Sequence, residues 1–354
     1  MRRTALALVV ISLMATACTD ATETSSTPPG PATPVTITLL THDSFDVTKS
    51  VLRDFEDRTG ITVKIVPVGD AGQLANRLIL ASGNPEGDVA FGVDNDQLSE
   101  LFAKDVFVPY ASGGLADVAP ELVLDDQHRV TPVDHGEVCV NVDKRHYLGG
   151  APTPASLDDL ADPTFRDQLV IENPATSTPG LAFLLATIAA YGDPGFEDYW
   201  RRLHDNGVTV VDGWEQAYFG EFSGAGGGEG THPLVVSYAT SPVAEVVFAD
   251  PPISVAPTGV LTDTCYRQIE FAGVLRGTEH EAAAQQLIDF LLSQPFQEDI
   301  PLRMFVYPAS TRASLPAVFR RNAAVVSDPF ELSSDEVAAH RADWVARWSD
   351  LMGQ

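Results

Sequence analysis

Short apolar runs of strand type and longer amphipathic segments of helix type take turns along most of this chain. Residues 35–40 (VTITLL) read as a strand, 47–58 as a helix that stops before Gly60, and 62–66 as a second strand. A helix over 71–81, a short strand over 88–91 and a helix over 95–103 follow. Apolar positions spaced by two in the first kind and by three or four in the second separate the two types. Such alternation builds an α/β fold with mainly parallel strands, because each connecting helix carries the chain back across the sheet.

The pattern repeats further on. Residues 134–141 (DHGEVCVN) form a strand that crosses into a second lobe. A short helix at 156–160, strands at 169–171, 208–211 and 234–238, and helices after Pro179 and over 196–206 fill that lobe. A strand at 267–272 returns to the first lobe, and a helix at 281–292 follows. A last helix opens on Ser333-Ser-Asp-Glu336, a capping box. Its Trp344 and Trp348 share one face and read as packing anchors. After the N-terminal segment about 320 residues remain, more than one ordinary core accommodates. The expected plan is two lobes: 35–133 for the first, 134–262 for the second, and 263–354 returning to the first with the C-terminal helices. Ligands in such folds sit in the cleft, at strand C-terminal ends and helix N-termini.

The N-terminus fixes the compartment. Arg2-Arg3 ahead of the apolar residues 5–15 is a charged head and a short apolar core, typical of a secretory signal and too short to span a membrane. Residues 14–18 (MATAC) resemble a lipobox, which makes 1–17 the signal peptide and Cys18 the lipid acceptor. Residues 18–34 are rich in Thr, Ser, Pro and Gly and read as a flexible linker behind that anchor. Two other cysteines remain, Cys139 and Cys265, and in an exported chain they are expected to pair in a disulfide. Asp and Glu number 49 against 22 Lys and Arg, a net charge of −27. That balance excludes a nucleic-acid partner, whose phosphates need a basic face. It leaves a cationic ligand open.

The inventory for catalysis is thin. The chain has no G-x-S-x-G, H-E-x-x-H or Walker motif, and its eight histidines lack ligand spacing. His42, Asp43 and Ser44 carry the residue types of a nucleophilic site, but adjacent residues do not face one another, so they read as a cleft-lining loop. The Gly-rich residues 223–230 (SGAGGGEG) lack the Lys-Ser/Thr of a phosphate loop and read as a flexible connection. The expectation is a binding protein without cofactor or metal. Residues 173–180 (NPATSTPG) join the strand at 169–171 to a helix with Pro179 at its first position. Thr176, Ser177 and Thr178 there either cap the helix, with Thr178 as N-cap, or present hydroxyls and free N–H groups to an anion or polar tail.

An ordered set of short motifs resembles one family. They are Thr41-His-Asp-Ser-Phe45, Asp70 with Leu74-Ala-Asn-Arg-Leu78, Asp88-Val-Ala-Phe-Gly-Val-Asp-Asn95, residues 173–180, Gly213-Trp-Glu-Gln-Ala-Tyr218, Ser237-Tyr-Ala-Thr-Ser-Pro242, Phe305-Val-Tyr-Pro308 and residues 336–344. Together these motifs, which span nearly all of the body after the tether, resemble the substrate-binding proteins of thiamine ABC transporters. The resemblance implies a two-lobed type II periplasmic-binding-protein fold. It also implies a monomer that delivers thiamine or a thiamine phosphate to a permease driven by an ATPase. A flat cation calls for aromatic faces and nearby carboxylates. The ligand-binding residues it implies are His42, Asp43, Ser44, Asp70, Asp94, Thr176, Ser177, Thr178, Trp214, Tyr218, Tyr238, Phe305 and Tyr307. Family members carry Tyr at the place of His42, Trp at that of Phe305 and a stacking Tyr at that of Ala244. The rival readings are a polyamine binder and a ferric-iron binder; the latter usually relies on paired tyrosines, and this chain has no Tyr-Tyr.

Overall fold

The computed structural model describes residues 35–226 and 230–354. The expected signal peptide 1–17, the expected lipid acceptor Cys18, the expected linker 18–34 and the middle of the Gly-rich segment lie outside the described residues. The chain opens with β1 (Val35–Thr41), α1 (Lys49–Thr59), β2 (Ile61–Pro67), α2 (Ala71–Leu80) and β3 (Val89–Asp94). β1 pairs in parallel with both β2 and β3. Ile37 and Leu39 of β1 join Phe55 of α1 in one core, while Leu40 joins Leu74 and Leu78 of α2 on the opposite face. This is the period-two alternation of a strand covered on both sides.

After α3 (Leu98–Ala103) and the short β4 (Phe107–Val108) comes the long β5 (Thr131–Asp143). It leads into α4 (Leu157–Leu160), β6 (Leu169–Glu172), α5 (Thr178–Tyr191), α6 (Gly195–Asp205), β7 (Thr209–Val211), β8 (Leu234–Tyr238) and α7 (Ser241–Val247). The 18-residue β9 (Thr258–Leu275) returns, followed by α8 (Glu281–Leu291), α9 (Gln294–Arg303), β10 (Tyr307–Pro308), α10 (Ala317–Asn322) and α11 (Ser334–Met352).

The strands share one sheet in the order β2-β1-β3-β9-β5-β8-β6-β7, with β10 beside β5 and β4 beside β9. The flanks are parallel, as the alternation requires, but the centre is antiparallel: β9 runs against β3 and β5, and β5 against β8. The expectation of mainly parallel strands therefore holds only for the flanks. The reason is that β5 leaves the first half and β9 comes back into it, so the two crossing strands run in opposite directions side by side. Their pairing is interrupted between Val138 and Val140, and the disulfide between Cys139 and Cys265 lies at that interruption. The Val140 N–H, which has no ladder partner there, donates to Thr264 Oγ1 at 2.9 Å.

The C-terminal segment reaches both halves. Residues 263–354 rejoin the first half through β9, α8, α9 and β10, and through Arg341 of α11, which pairs with Glu100 of α3. α10 lies against α7, and α11 lies against α6. Trp344 and Trp348 are buried in the second core with Trp200, whose ring Trp348 meets edge-on at 5.5 Å, and Trp344 Nε1 donates to Asp193 Oδ2 at 3.0 Å. They are the packing anchors their spacing suggests, each the kind of buried ring whose truncation costs about 3–5 kcal/mol. Ser333 Oγ accepts from the Glu336 N–H at 3.2 Å and so caps α11.

Candidate ligand-binding cleft

Between the two halves lies a cleft of about 750 Å³, measured out to its open mouth. The first half contributes the loop after β1 (His42, Asp43, Ser44), the start of α2 (Asp70, Ala71), Glu270 of β9 and the segment Met304, Phe305 and Val306 before β10. The second half contributes Thr178 and Pro179 at the start of α5, and Trp214, Tyr218 and Phe219 from a π-helical turn (Gln216–Glu221) and its approach. Tyr238 at the end of β8 and Ser241, Ala244 and Phe248 of the α7 region complete it.

The aromatic wall is held in place by polar groups behind it. The indole of Trp214 stacks on Tyr218 (5.2 Å, 20°), meets Tyr238 edge-on at 6.4 Å, and donates from Nε1 to Ser237 Oγ at 2.9 Å. Tyr218, almost fully buried, donates its hydroxyl to Glu245 Oε1 at 2.9 Å. Across the mouth Phe248 meets Phe305 at 5.4 Å. Phe305 adopts φ 57°, a left-handed conformation that costs a residue with a Cβ on the order of 1 kcal/mol or more and is concentrated at functional sites.

The floor is acidic. His42, 7 % exposed, lies 3.5 Å from Glu270, which is 9 % exposed. Burial opposes the charge on both, yet each is held charged by the other: Glu270 raises His42 above its ordinary value, and His42 draws Glu270 below the usual carboxylate range. The ring of His42 fills the space over Gly92, where a Cβ would come within 2.1 Å of its Cδ2, so only glycine leaves room for it. Behind Glu270 stand Asp134 and Asp94, both pushed up by burial and by its charge, Asp94 to about 7.

Asp70 ties the halves together. It stands at the N-cap position of α2 but does not cap its own helix. Its Oδ1 accepts from the Thr178 N–H at 3.2 Å and its Oδ2 from the Trp214 N–H at 3.0 Å. Burial pushes its carboxyl up, and these two amides oppose that rise. Beside it the Gln73 N–H donates to Thr176 O at 3.1 Å and Asn76 Nδ2 to Ala175 O at 3.3 Å.

Of the thirteen candidate positions, His42, Asp43, Ser44, Asp70, Thr178, Trp214, Tyr218, Tyr238 and Phe305 line this one cleft. Four do not. Asp94 lies behind the floor, where its Oδ1 accepts from the Asp96 N–H at 3.1 Å and begins a short helical turn. Tyr307 pairs with His135 across β10 and β5 and stacks on its ring at 5.5 Å, outside the cleft that its neighbours Phe305 and Val306 line. Thr176 donates its hydroxyl to Asp212 O at 2.7 Å, and Ser177 is buried as the actual N-cap position of α5. Thr178, expected as that cap, is instead the first helical residue. Glu270, Phe248, Phe219, Ser241 and Met304 line the cleft without having been foreseen. A charge inside the otherwise apolar run IEFAGVL was the available signal for Glu270.

Residues 87–326 match the family described as bacterial extracellular solute-binding protein. The chain is 30% identical over 316 residues to the thiamine-binding periplasmic protein of Escherichia coli (strain K12), covering 88% of this chain and 92% of that one. It is also 30% identical over 325 residues to the thiamine-binding periplasmic protein of Salmonella typhimurium (strain LT2), covering 90% and 94%. A solved periplasmic thiamin binding protein superposes with a TM-score of 0.79 at 27% identity, over 92% of this chain and 99% of that one. These relatives are binding proteins rather than enzymes. The match over 87–326, joined to likeness along nearly the whole described fold, makes this chain a member of the bacterial extracellular solute-binding protein family.

Proposed function

We propose that this chain is the extracytoplasmic binding component of an ABC importer and that its cleft takes thiamine. The observation that carries this reading is a single cleft lined both by Asp43, Asp70 and Glu270 and by Trp214, Tyr238 and Phe305. A thiazolium is a permanent cation on a flat ring, and each aromatic face it meets contributes roughly 0.5–2 kcal/mol, more where water is excluded. The carboxylates supply the counter-charge, and Thr178, Ser241 and Ser44 supply hydroxyls for the aminopyrimidine and the hydroxyethyl tail. The relatives named above bear the same solute in their names.

Binding draws the two halves together, since the ligand touches both and so favours the closed arrangement. The closed form then docks, as a monomer, on a permease powered by an ATPase. Cleavage after residue 17, acylation of Cys18 and the segment from there to residue 34 hold it at the membrane surface. The lobes are 35–133 and 134–262, with 263–354 returning to the first, a division supported by the core that β9, α8 and α9 share with β1 and β3.

Titration calorimetry with thiamine, spermidine and ferric citrate tests the reading. Saturable one-to-one heat with thiamine alone is the expected result. At a hundredfold excess over Kd it is accompanied by about 2.7 kcal/mol of added stability in thermal unfolding. The absence of both heat and thermal protection with thiamine would refute it.

A further inference from the structure

Resting on the reading of the cleft as a thiamine site, we infer that Glu245, which does not itself line the cleft, is a positioning residue that fixes the aromatic wall before the ligand arrives. Glu245 lies on α7, whose Ser241 and Ala244 do line the cleft. Two pairs of residues, each four apart on a helical backbone, interlock here. Trp214 and Tyr218 stack their rings at 5.2 Å, and Ser241 and Glu245 hold the polar edge of one ring each. Trp214 Nε1 donates to Ser237 Oγ at 2.9 Å, and Ser237 Oγ is hydrogen-bonded in turn to Ser241 Oγ at 2.8 Å. One turn further along α7, Glu245 Oε1 accepts from the Tyr218 hydroxyl at 2.9 Å.

The contact with Glu245 is the stronger hold. A phenol donating to a carboxylate makes a charge-assisted bond, roughly twice as strong as one between neutral groups. Both partners are buried, so water does not replace either of them. Burial pushes the Glu245 carboxyl up, while the Tyr218 hydroxyl, the Gly226 amide and Arg145 oppose that rise and favour the carboxylate. Burial and Glu245 together hold the Tyr218 hydroxyl well above its ordinary value, so it stays a donor. Without this anchor the phenol ring, and the indole stacked on it, are free to slide, and a ligand lying against Trp214 must order both. A wall ordered in advance spares the ligand that cost.

A double-mutant cycle on thiamine affinity, measured by titration calorimetry, tests the inference. Glu245→Leu and Tyr218→Phe are each expected to weaken binding about three- to tenfold, the cost of ordering one or two side chains on association. In the Tyr218→Phe background, Glu245→Leu changes affinity by less than about twofold, because the hydroxyl through which it acts is gone. Glu245→Gln, whose amide keeps a hydrogen bond to the phenol, binds as wild type does. A merely structural role for Glu245 predicts the same loss in both backgrounds. That result, no loss in either, or a Glu245→Gln variant as weak as Glu245→Leu overturns the inference and leaves the thiamine reading intact. If Glu245→Leu does not fold, Tyr218→Phe and Glu245→Gln decide: a loss confined to Tyr218→Phe supports the inference, and any other pattern overturns it. If the wild type binds no thiamine, the proposed function falls and the hold is judged in the free protein. Near-ultraviolet circular dichroism, which reads rings in fixed surroundings, then weakens in Glu245→Leu and persists in Glu245→Gln, and identical spectra overturn it.

Discussion

Phe248 answers a loss at Ala244. The family resemblance places a stacking tyrosine at position 244, and here a methyl group lines the cleft instead. Four residues on, Phe248 returns to the same face of the chain, one helical turn away, and its ring is 71 % exposed at the mouth against Phe305. An exposed ring of that size in the free protein has its use in the bound one. Phe248→Ala is expected to weaken thiamine binding about tenfold, the loss of an aromatic contact worth roughly 0.5–1.5 kcal/mol beyond its area. The unfolding temperature should stay within about 1–2 °C of wild type, because surface truncations are nearly neutral. Titration and a melting curve on the same sample check both halves. Residues such as His42, Asp43, Asp70 and Trp214 were legible in the sequence because each sits in a loop directly after a strand, where this architecture puts its ligands. Glu270 was not, because it lies within a strand rather than in a loop at a strand's end. Asp94 and Tyr307 lie outside the cleft because a motif gives sequence neighbours, whereas the backbone turns at both places, after Asp94 into a helical turn and before Tyr307 through the left-handed Phe305.

At the scale of elements, the closed arrangement depends on the N-terminus of α2 pressing on the turn before α5. Gly72 permits that approach: a Cβ there would lie 2.5 Å from Thr176 C and O and 2.8 Å from Ser177 N, all backbone atoms that cannot move aside cheaply. Gly72 sits in the first turn of a helix, where alanine is otherwise the better residue. Gly72→Ala should therefore leave the separate halves folded while holding them apart. Thiamine affinity falls on the order of tenfold to a hundredfold, and small-angle scattering with saturating ligand shows a larger radius of gyration than wild type. A variant with unchanged affinity and unchanged radius would show that this contact does not govern closure. The alternation of strands and helices was read correctly through β3 and again from β5 to β8, since long periodic segments declare themselves. The short helices α7, α9 and α10 were not. α9 carries Pro301 within it and α10 has six residues. Helices of that length owe their existence to the surfaces they pack against rather than to their own composition. The antiparallel centre escaped notice for a related reason: strand direction is a property of the crossing, which no local pattern records.

The whole molecule is acidic, and the net charge of −27 was plain from the composition. What composition did not reveal is how many carboxyls are buried together behind the cleft. Asp94, Asp96, Asp134 and Glu172 are almost fully buried, and burial pushes each of them up, Asp94 to about 7 and the others well above the ordinary range. A carboxyl that holds its proton more tightly when folded than when unfolded favours folding only while that proton is present. Stability then falls as pH rises through the folded value. His42, raised by Glu270, acts in the same direction, since its contribution is complete below about 6.5 and fades as pH climbs past its folded value. His135 acts in the opposite direction. Burial lowers it to about 4, so its penalty for staying neutral is felt below about 6.5 and vanishes above. Glu270, drawn below the carboxylate range, matters only under about pH 4.5. Below 6.5 the terms therefore offset one another, and above it those of the carboxyls and His42 point the same way. The unligated protein is expected to melt at a lower temperature at pH 8.5 than at pH 6.5. Thiamine should reduce that difference, because a bound cation stabilises the carboxylates that high pH creates, and its binding at pH 7 should release protons. Calorimetry in two buffers of different ionisation enthalpy counts those protons, and a count of zero together with a flat melting profile from pH 6.5 to 8.5 would show that the buried carboxyls do not sense the cleft.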